Sequence, residues 1–354
     1  MLHLLGIDSP QATKTDNHAT QFEQFRLHTS SFVWQASMRT GWLLPVMSFY
    51  NPWHSLLWAV SAYNYQTSAR RVDVLILWPT GIAEQELRER WTAPFRRLAE
   101  LLAADVRLAS EVDECFDWLR VGRGHLLDAT AYAVRARPAH FHALARAVVA
   151  RYPASDTIEE EVLFIQRNPL LGRHVASMAS AVQVLHGRGI RVRFQVDAAA
   201  SNLALDDTQS DSSSKLRIQK YAVAAPDPLR YLSRVHTSNI RVVVGAPGGA
   251  LAFIAFLPTH AALVELSPPG WQEQCRPGWN RNPHSLWGQW CSLAQLEHKC
   301  LMGEIGIARG TAGALVMDVL LQGNVSVSQE TIVDAVLEAL GKVRAPVAEA
   351  AARA

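Results

Sequence analysis

The sequence predicts an α/β fold built on parallel sheets. Two observations point to it: short β-rich runs alternate with amphipathic helical stretches, and the best-defined runs are mainly apolar, as buried parallel strands are. The chain has 354 residues, 49% of them hydrophobic, which is ample apolar material for a sizeable core. At about 100–200 residues per domain this length predicts two domains, with one large α/β unit as the alternative.

Six strands are predicted at short runs rich in apolar and β-branched residues. They cover residues 72–78, 106–108, 162–165, 192–196, 240–244 and 262–266. The run at residues 72–78 (VDVLILW) is typical of a core strand, because it is nearly all apolar and ends before Pro79 and Gly81. The strand at residues 162–165, the helix after it and the strand at residues 192–196 have the order of a β-α-β unit.

Amphipathic patterns predict the helices between these strands. They cover residues 84–102, 138–149, 175–185, 228–235, 253–256 and 328–340. The last helix has Ser328 at its N-cap, Glu330 in its first turn and Gly341 just past its end. Residues 203–220 are rich in Asp and Ser and predict a solvated loop, and residues 346–354 predict a frayed tail.

Charge and hydropathy argue against two classes of partner. The 34 Lys and Arg residues nearly balance 32 Asp and Glu, so no broad basic surface is expected to bind nucleic acid. Residues 40–69 contain no charged residue other than histidine and are long enough to span a bilayer, but their prolines, asparagines and His54 would be costly in lipid. We expect no membrane span, and the polar residues 1–26 do not predict a signal peptide, because they lack a sustained apolar run.

The cysteine pattern disfavours a cysteine-bound metal. No two of the four cysteines form a Cys-x-x-Cys pair, so neither a zinc ribbon nor a thioredoxin motif is predicted. Cys275, Cys291 and Cys300 lie within 26 residues, which permits a disulfide in an oxidising compartment. Asn324-Val-Ser326 is an N-glycosylation sequon that would suit the secretory lumen, although single sequons often arise by chance.

A glycine-rich turn follows the strand at residues 240–244, in the sequence VVVGAPGGAL. A strand that ends in glycines and opens a helix offers backbone N–H groups to an anion, so Gly248 and Gly249 are candidates for binding a diphosphate. The dinucleotide fingerprint G-x-G-x-x-G is absent, because Pro247 and Ala250 stand where it needs glycines. The alternative is a tight crossing in which the glycines only permit close packing.

Four further side chains are candidates for binding or chemistry. Arg167 and Arg173 follow the strand at residues 162–165, where guanidinium groups can bind phosphate oxygens, although surface arginines are common. Glu265 ends a hydrophobic strand and could accept hydrogen bonds from ribose hydroxyls, or be an ordinary solvated glutamate. His54 lies on an apolar segment and is a candidate general base, or a core histidine.

Taken in order, these segments resemble glycosyltransferase family 61, the family of the EGF-domain O-GlcNAc transferase and of plant and protein-O-mannose sugar transferases. The resemblance runs over residues 48–339. The similar segments are Asn51-Pro-Trp-His54 with the strand after it, residues 163–173 (LFIQRNPLLGR), residues 242–266 (VVVGAPGGALAFIAFLPTHAALVEL) and the helix containing Cys291-Ser-Leu-Ala-Gln-Leu. No single motif is decisive, and the resemblance rests on their colinear order.

The resemblance implies a GT-B-like architecture, in which two Rossmann-like domains face each other across a cleft. Residues 1–158, with a poorly defined lead at residues 1–40, would form the acceptor-side domain, and residues 159–345 the nucleotide-sugar-binding domain with a closing helix. It further implies inverting, metal-independent transfer from a UDP-sugar to a hydroxyl of a glycan or glycoprotein, in the lumen of the endoplasmic reticulum or Golgi, without a cofactor.

The resemblance also implies a role for each candidate residue. These roles are diphosphate binding by Arg167 and Arg173, backbone amides from Gly248 and Gly249, ribose binding by Glu265, and general base catalysis by His54.

Three positions depart from the family pattern. Pro247 stands where the family has a histidine, Trp58 where an aspartate is common, and Ala176 and Ser177 where an Asn-Glu pair is expected. The alternative is therefore a catalytically degenerate relative that binds a glycan, a nucleotide or a partner. An unrelated α/β oxidoreductase is a remoter possibility, because the dinucleotide fingerprint is absent.

Overall fold

The fold is taken from a computed structural model of the chain. The structure describes residues 37–46, 72–79, 93–121, 138–155, 158–167, 173–197, 218–221, 228–268, 275, 278–279, 286–306 and 324–353. The chain divides into two compact units, Met1–Ala136 and Arg137–Ala354. Among the helices in these ranges, none combines the length and the apolar character that a membrane crossing requires.

The first unit contains a four-stranded parallel sheet. Its strands are β1 (Ser37–Val46), β2 (Val74–Pro79), β3 (Asp105–Leu108) and β4 (Phe116–Val121), in the order β3-β2-β1-β4. Helix α1 (Ala93–Glu100) precedes β3, and a short 3₁₀ helix (Ala109–Glu111) follows it. Trp42, Leu44, Leu75 and Leu77 are fully buried in the core of this sheet.

Four charged side chains form a closed network at the amino-terminal edge of this sheet. Arg39 contacts Asp105 at 2.8 Å and Glu114 at 3.1 Å, and Arg107 contacts the same two carboxylates at 2.7 and 3.0 Å. Hydrogen bonds from Arg107 and then Arg39 lower the pKa of Asp105 below its ordinary value. The network ties the starts of β1 and β3 to the segment before β4.

The second unit is built on a seven-stranded sheet in the order β10-β11-β9-β8-β5-β6-β7. The strands are β5 (Val162–Arg167), β6 (Val192–Asp197), β7 (Ile218–Tyr221), β8 (Val242–Gly245), β9 (Ala262–Ser267), β10 (Gly278–Trp279) and β11 (Glu297–Met302). All neighbours are parallel except β10 and β11. The six parallel strands therefore run 3-2-1-4-5-6 in their chain order, which is the doubly wound Rossmann order.

Helices form a layer on each face of this sheet. They are α2 (Pro138–Arg151), α3 (Met178–Gly187), α4 (Pro228–His236), a 3₁₀ helix (Gly249–Phe256), α5 (Leu286–Ala294) and α6 (Gln329–Arg353). One face buries Phe164, Val244 and Val264 against α3 and α6. On the other face α5 contacts β9 and β11, and α2, α4, α5 and the 3₁₀ helix pack against one another. A small hairpin, β12 (Glu304–Gly306) with β13 (Asn324–Ser326), precedes α6.

These sheets confirm the predicted α/β class with two Rossmann-like units, and all six predicted strands are present. The structure divides the chain near residue 136, whereas the sequence placed the boundary at residue 158. The difference arises because α2 packs on α4 and α5, and so belongs to the second unit. The predicted facing of the two domains across a cleft stays a prediction.

The last helix confirms its predicted start and corrects its predicted end. The Ser328 hydroxyl accepts a hydrogen bond from the backbone N–H of Thr331 at 3.1 Å, as an N-cap does. Gly341 does not end the helix: it is exposed inside α6, which continues to Arg353, so the predicted frayed tail is helical too. Val343, beyond the glycine, is buried in the core and extends the packed face of the helix.

The cysteines divide into one disulfide and two thiols. Cys275 and Cys300 form the disulfide that their clustering permitted, and Cys300 lies on β11. Cys291 is buried on α5, and Cys115 is half-buried in the first unit. Burial raises the pKa of the Cys291 thiol well above its ordinary value, and the nearby carboxylate of Glu265 adds to the shift.

Candidate functional site

The strand order of the second unit marks one place as the expected ligand site. In an open parallel sheet, ligands bind outside the carboxyl ends of the strands, where neighbouring strands connect in opposite directions. Here those neighbours are β5 and β8, which pair from Val162 with Val242 to Ile165 with Gly245. The carboxyl ends of β5 and β8 are also where the sequence placed the arginines and the glycine-rich turn.

Two guanidinium groups meet at this place. Arg173 Nη1 donates a hydrogen bond to the carbonyl oxygen of Pro247 at 2.6 Å, and Arg167 Nη1 donates to the same oxygen at 3.2 Å. Burial lowers the pKa of Arg173 to about 10, and the positive charge of Arg167 is the second cause. Two like charges in a partly desolvated position repel each other, and a bound anion would relieve that repulsion.

The backbone at Arg173 is strained and is held from both sides. Its φ is +57°, a left-handed conformation that costs a non-glycine residue on the order of 1 kcal/mol. The buried Gln166 side chain donates to the carbonyl of Val175 at 2.9 Å and accepts from its N–H at 3.4 Å. The N–H of Val325 on β13 donates to the carbonyl of His174 at 2.9 Å. These contacts fix the segment that presents the Arg173 guanidinium.

The glycines of the turn are required by close approach. A Cβ on Gly248 would lie 2.4 Å from Arg167 Nη1, and a Cβ on Gly245 would lie 2.9 Å from a methyl group of Leu251. The φ of Gly248 is 165°, which is extended backbone open to any residue, so packing rather than conformation selects glycine there. Gly249 begins a 3₁₀ helix, where the sequence predicted a helix from residue 253.

Glu265 lies one strand further along, on β9, and is 1% exposed. Its Oε2 accepts a hydrogen bond from Nε2 of His298 at 2.8 Å, and His298 on β11 is 3% exposed. The carboxylate therefore lies among buried groups, in contrast to the solvated glutamate that the sequence left open. His298 was missed, because the run Glu297–Met302 (EHKCLM) mixes charged, polar and apolar residues and carries no sequence signal that His298 is buried.

The structure thus brings Arg167, Arg173 and Gly248 together, and places Glu265 on the strand beside the turn. His54 lies outside the described residues, so the general base stays a prediction. Among the described residues, no group of three histidine, cysteine, aspartate or glutamate side chains is arranged to hold a metal ion.

The chain is similar to known proteins at the level of the fold alone. No family model and no curated protein matches the chain. One similar structure is a glycosyl transferase family 9 protein from Veillonella parvula, with 9% identity over 85% of this chain and 97% of that one, and a TM-score of 0.40. Another is the E. coli heptosyltransferase WaaC with ADP-2-deoxy-2-fluoro heptose, with 13% identity over 72% and 97% and a TM-score of 0.38.

A third similar structure is the iron-containing dodecameric glycosyltransferase TibC from E. coli, with 11% identity over 69% of this chain and 64% of that one, and a TM-score of 0.32. None of the three is described as a family 61 enzyme, so that resemblance stays a prediction. Likenesses this distant carry no argument about substrate, and the fold class rests on the strand order of the chain's own sheets.

Proposed function

We propose that the chain is a glycosyltransferase whose second unit binds the diphosphate of a nucleotide sugar. The observation that carries the proposal is the meeting of Arg167 and Arg173 on the Pro247 carbonyl, at the topological switch point of a 3-2-1-4-5-6 sheet. Guanidinium groups bind phosphate oxygens through parallel hydrogen bonds, and the switch point of such a sheet is where nucleotides bind.

The two arginines would do the work that a metal ion does in other sugar transferases. A nucleoside diphosphate leaving group gains negative charge as the sugar departs, and fixed positive charges beside it stabilise that transition state. The Pro247 carbonyl accepts hydrogen bonds from both guanidinium groups and holds them in place. A diphosphate would take over part of this bonding, with the Gly248 and Gly249 amides as further donors.

The proposed reaction is inverting transfer from a UDP-sugar to a hydroxyl of a glycan or glycoprotein. His54 would take the proton from the acceptor hydroxyl, whose oxygen forms the new bond to the anomeric carbon. The bond from that carbon to the diphosphate breaks, and its electron pair stays on UDP beside Arg167 and Arg173. Glu265 would accept a hydrogen bond from the ribose. Such acceptors belong to the secretory lumen, which the Cys275–Cys300 disulfide would suit.

Calorimetric titration of the full chain with UDP, UDP-GlcNAc, UDP-xylose, UDP-arabinose, ADP and GDP tests the binding step. Arg173→Ala should lower the affinity for whichever nucleotide binds by about 10–100-fold, which is the value of a hydrogen bond to a charged group. Arg188→Ala, which removes an exposed arginine just after α3, is the matched control and should not change affinity. Folded wild-type protein that binds none of these nucleotides would overturn the proposal.

A second candidate function is nucleotide binding without transfer. Pro247 is the observation that favours it: the residue that holds both arginines stands where the resembled family has a histidine. The two candidates differ in turnover. A protein that binds a UDP-sugar, but neither transfers nor hydrolyses it with a panel of glycan acceptors, supports the second.

A further inference from the structure

Two buried polar side chains lie at the carboxyl end of β9, on the same face of the sheet. Glu265 is one, and Ser267, two residues later, is the other and is fully buried. The Ser267 carbonyl accepts a hydrogen bond from the N–H of Gly303 at 2.9 Å. Within the described part of the chain, its hydroxyl has no hydrogen-bond partner.

Burial alone does not single out this hydroxyl. Ser233 on α4 is equally buried, and its hydroxyl also has no partner among the described residues. Ser233 lies inside a helix, whereas Ser267 is the last residue of a strand at the edge where parallel sheets bind ligands. A buried hydroxyl without a partner is unfavourable, and at this edge a ligand can supply the partner.

The strand register places Ser267 next to the proposed diphosphate site. Gly245, the last residue of β8, pairs with Glu265, so Ser267 lies two positions beyond the end of β8. Pro247, whose carbonyl holds both arginines, is likewise two positions beyond Gly245. Neighbouring strands are about 4.8 Å apart, so the face of Ser267 and Glu265 begins about one strand spacing from the turn. The ribose of a nucleoside diphosphate is bonded directly to the first phosphate, so a diphosphate at the turn would place its ribose near this face.

The chemistry of the two side chains matches a pair of neighbouring hydroxyls. His298 occupies Oε2 of Glu265, which fixes the carboxylate and leaves Oε1 to accept a second hydrogen bond. A serine hydroxyl both donates and accepts, so Ser267 can bond to the neighbouring hydroxyl whichever way that hydroxyl points. An arginine or lysine would serve a phosphate better at this position, and a diol is the group that a carboxylate and a hydroxyl together bind.

We infer that Ser267 is a specificity-determining residue that, together with Glu265, recognises the ribose diol of a nucleoside diphosphate. This inference rests on the proposed function, since it assumes that the diphosphate lies at Arg167 and Arg173. It predicts that the protein distinguishes ribonucleotides from deoxynucleotides. A site that rejects a ligand lacking one hydroxyl does so because its own buried polar group is then left without a partner.

The test is calorimetric titration with UDP and ADP, each alongside its 2′-deoxy and 3′-deoxy forms. Wild-type protein should bind the ribonucleotide about tenfold more tightly than at least one of the two deoxy forms, the value of about one neutral hydrogen bond. Ser267→Ala should reduce the preference over one deoxy form, the one that lacks the hydroxyl bound by Ser267, to less than about threefold, because binding of that form alone does not depend on Ser267. Ser233→Ala is the matched control and should keep the wild-type preference.

The outcomes separate the two proposals. Wild-type protein without a preference over either deoxy form, or Ser267→Ala protein that keeps every wild-type preference, overturns the role of Ser267 while leaving diphosphate binding intact. Wild-type protein that binds no nucleotide overturns the proposed function itself. Because the comparison among ligands uses the wild-type chain, the test does not depend on the variant folding. The Ser267→Ala change removes a buried hydroxyl without a described partner, so its melting temperature should be no lower than that of wild type.

Discussion

Gly248→Ala is expected to weaken nucleotide binding while leaving the fold almost unchanged. The new Cβ would lie 2.4 Å from Arg167 Nη1, so the guanidinium must retreat by about 1 Å to reach a normal contact of about 3.5 Å. Its hydrogen bond to the Pro247 carbonyl, now 3.2 Å, would then exceed the usual limit. With one of two guanidinium groups displaced, we expect about tenfold weaker binding, or about 1.4 kcal/mol.

Two opposing contributions determine the effect of Gly248→Ala on the free energy of unfolding. Alanine has fewer conformations than glycine in the unfolded chain, and the extended φ of residue 248 is open to it, so the substitution alone stabilises the folded protein by about 0.4–1 kcal/mol. The lost guanidinium hydrogen bond costs about 1 kcal/mol, because the side chain is only half-buried and can turn toward water. The free energy of unfolding should therefore change by less than about 1 kcal/mol.

Urea denaturation and calorimetry measure the two effects of Gly248→Ala separately. Gly341→Ala is the control: its Cβ would meet nothing within 4 Å inside the exposed face of α6, so it should stabilise by about 0.5–1 kcal/mol and leave binding unchanged. Wild-type affinity in the Gly248→Ala protein would contradict this expectation, because it would mean that the Arg167 guanidinium makes no contact with the nucleotide.

Three further predictions follow from contacts in the second unit. Burial lowers the pKa of His236, so as the pH falls the unfolded chain takes up a proton at a higher pH than the folded chain does. The free energy of unfolding should therefore be at its full value above about pH 6.5 and decrease below it. His236→Asn should reduce this pH dependence, measured as urea midpoints from about pH 7 to 5. Gln166→Leu removes two hydrogen bonds to buried Val175 and should cost about 2 kcal/mol in urea denaturation, with weaker nucleotide binding through Arg173. Reducing the Cys275–Cys300 disulfide, which links residues 25 apart, should cost about 3 kcal/mol in the same assay.

Each of these predictions has a matched control. His260→Asn changes an exposed histidine and should leave the pH slope as it is. Gln183→Leu changes an exposed glutamine on α3 and should leave nucleotide affinity unchanged, so an equal loss in both glutamine variants would contradict the role given to Gln166. Cys115→Ser should be neutral, and a disulfide-free chain as stable as wild type would show that the disulfide adds nothing to stability.

The sequence predicts the interior strands of the second sheet because their burial is a local property. Residues 162–165 are apolar throughout and residues 262–266 are apolar except for Glu265, and both prove to be interior strands. Strand β11 was missed, because half of its residues are charged or polar and the partner of buried His298 is Glu265, 33 positions away. A pairing over that distance leaves no mark on the local pattern.

Long-range packing also determines where the two units divide and where α6 ends. The helix at residues 138–149 was predicted, but its membership in the second unit depends on contacts with α4 and α5. Gly341 predicts the end of the helix, but the helix continues because Val343, two residues further on, is buried in the core against the sheet. Similarly, the sequence places Arg167 and Arg173 after one strand, but it does not predict that they meet at Pro247, which lies 80 positions after Arg167 and 74 after Arg173.

The two cysteines outside the disulfide lie in different units, so the alkylation rate of each thiol reports on the opening of its own unit. Alkylating reagents attack the thiolate, so the buried Cys291, with its raised pKa, reacts only when the second unit opens. Cys115 reports on the first unit in the same way, from a less protected position. A ligand bound to the second unit alone slows labelling of Cys291 and leaves that of Cys115 unchanged. Pulsed alkylation, followed by mass spectrometry of the labelled peptides, therefore identifies the unit that a ligand stabilises, even when the ligand's chemical class is unknown.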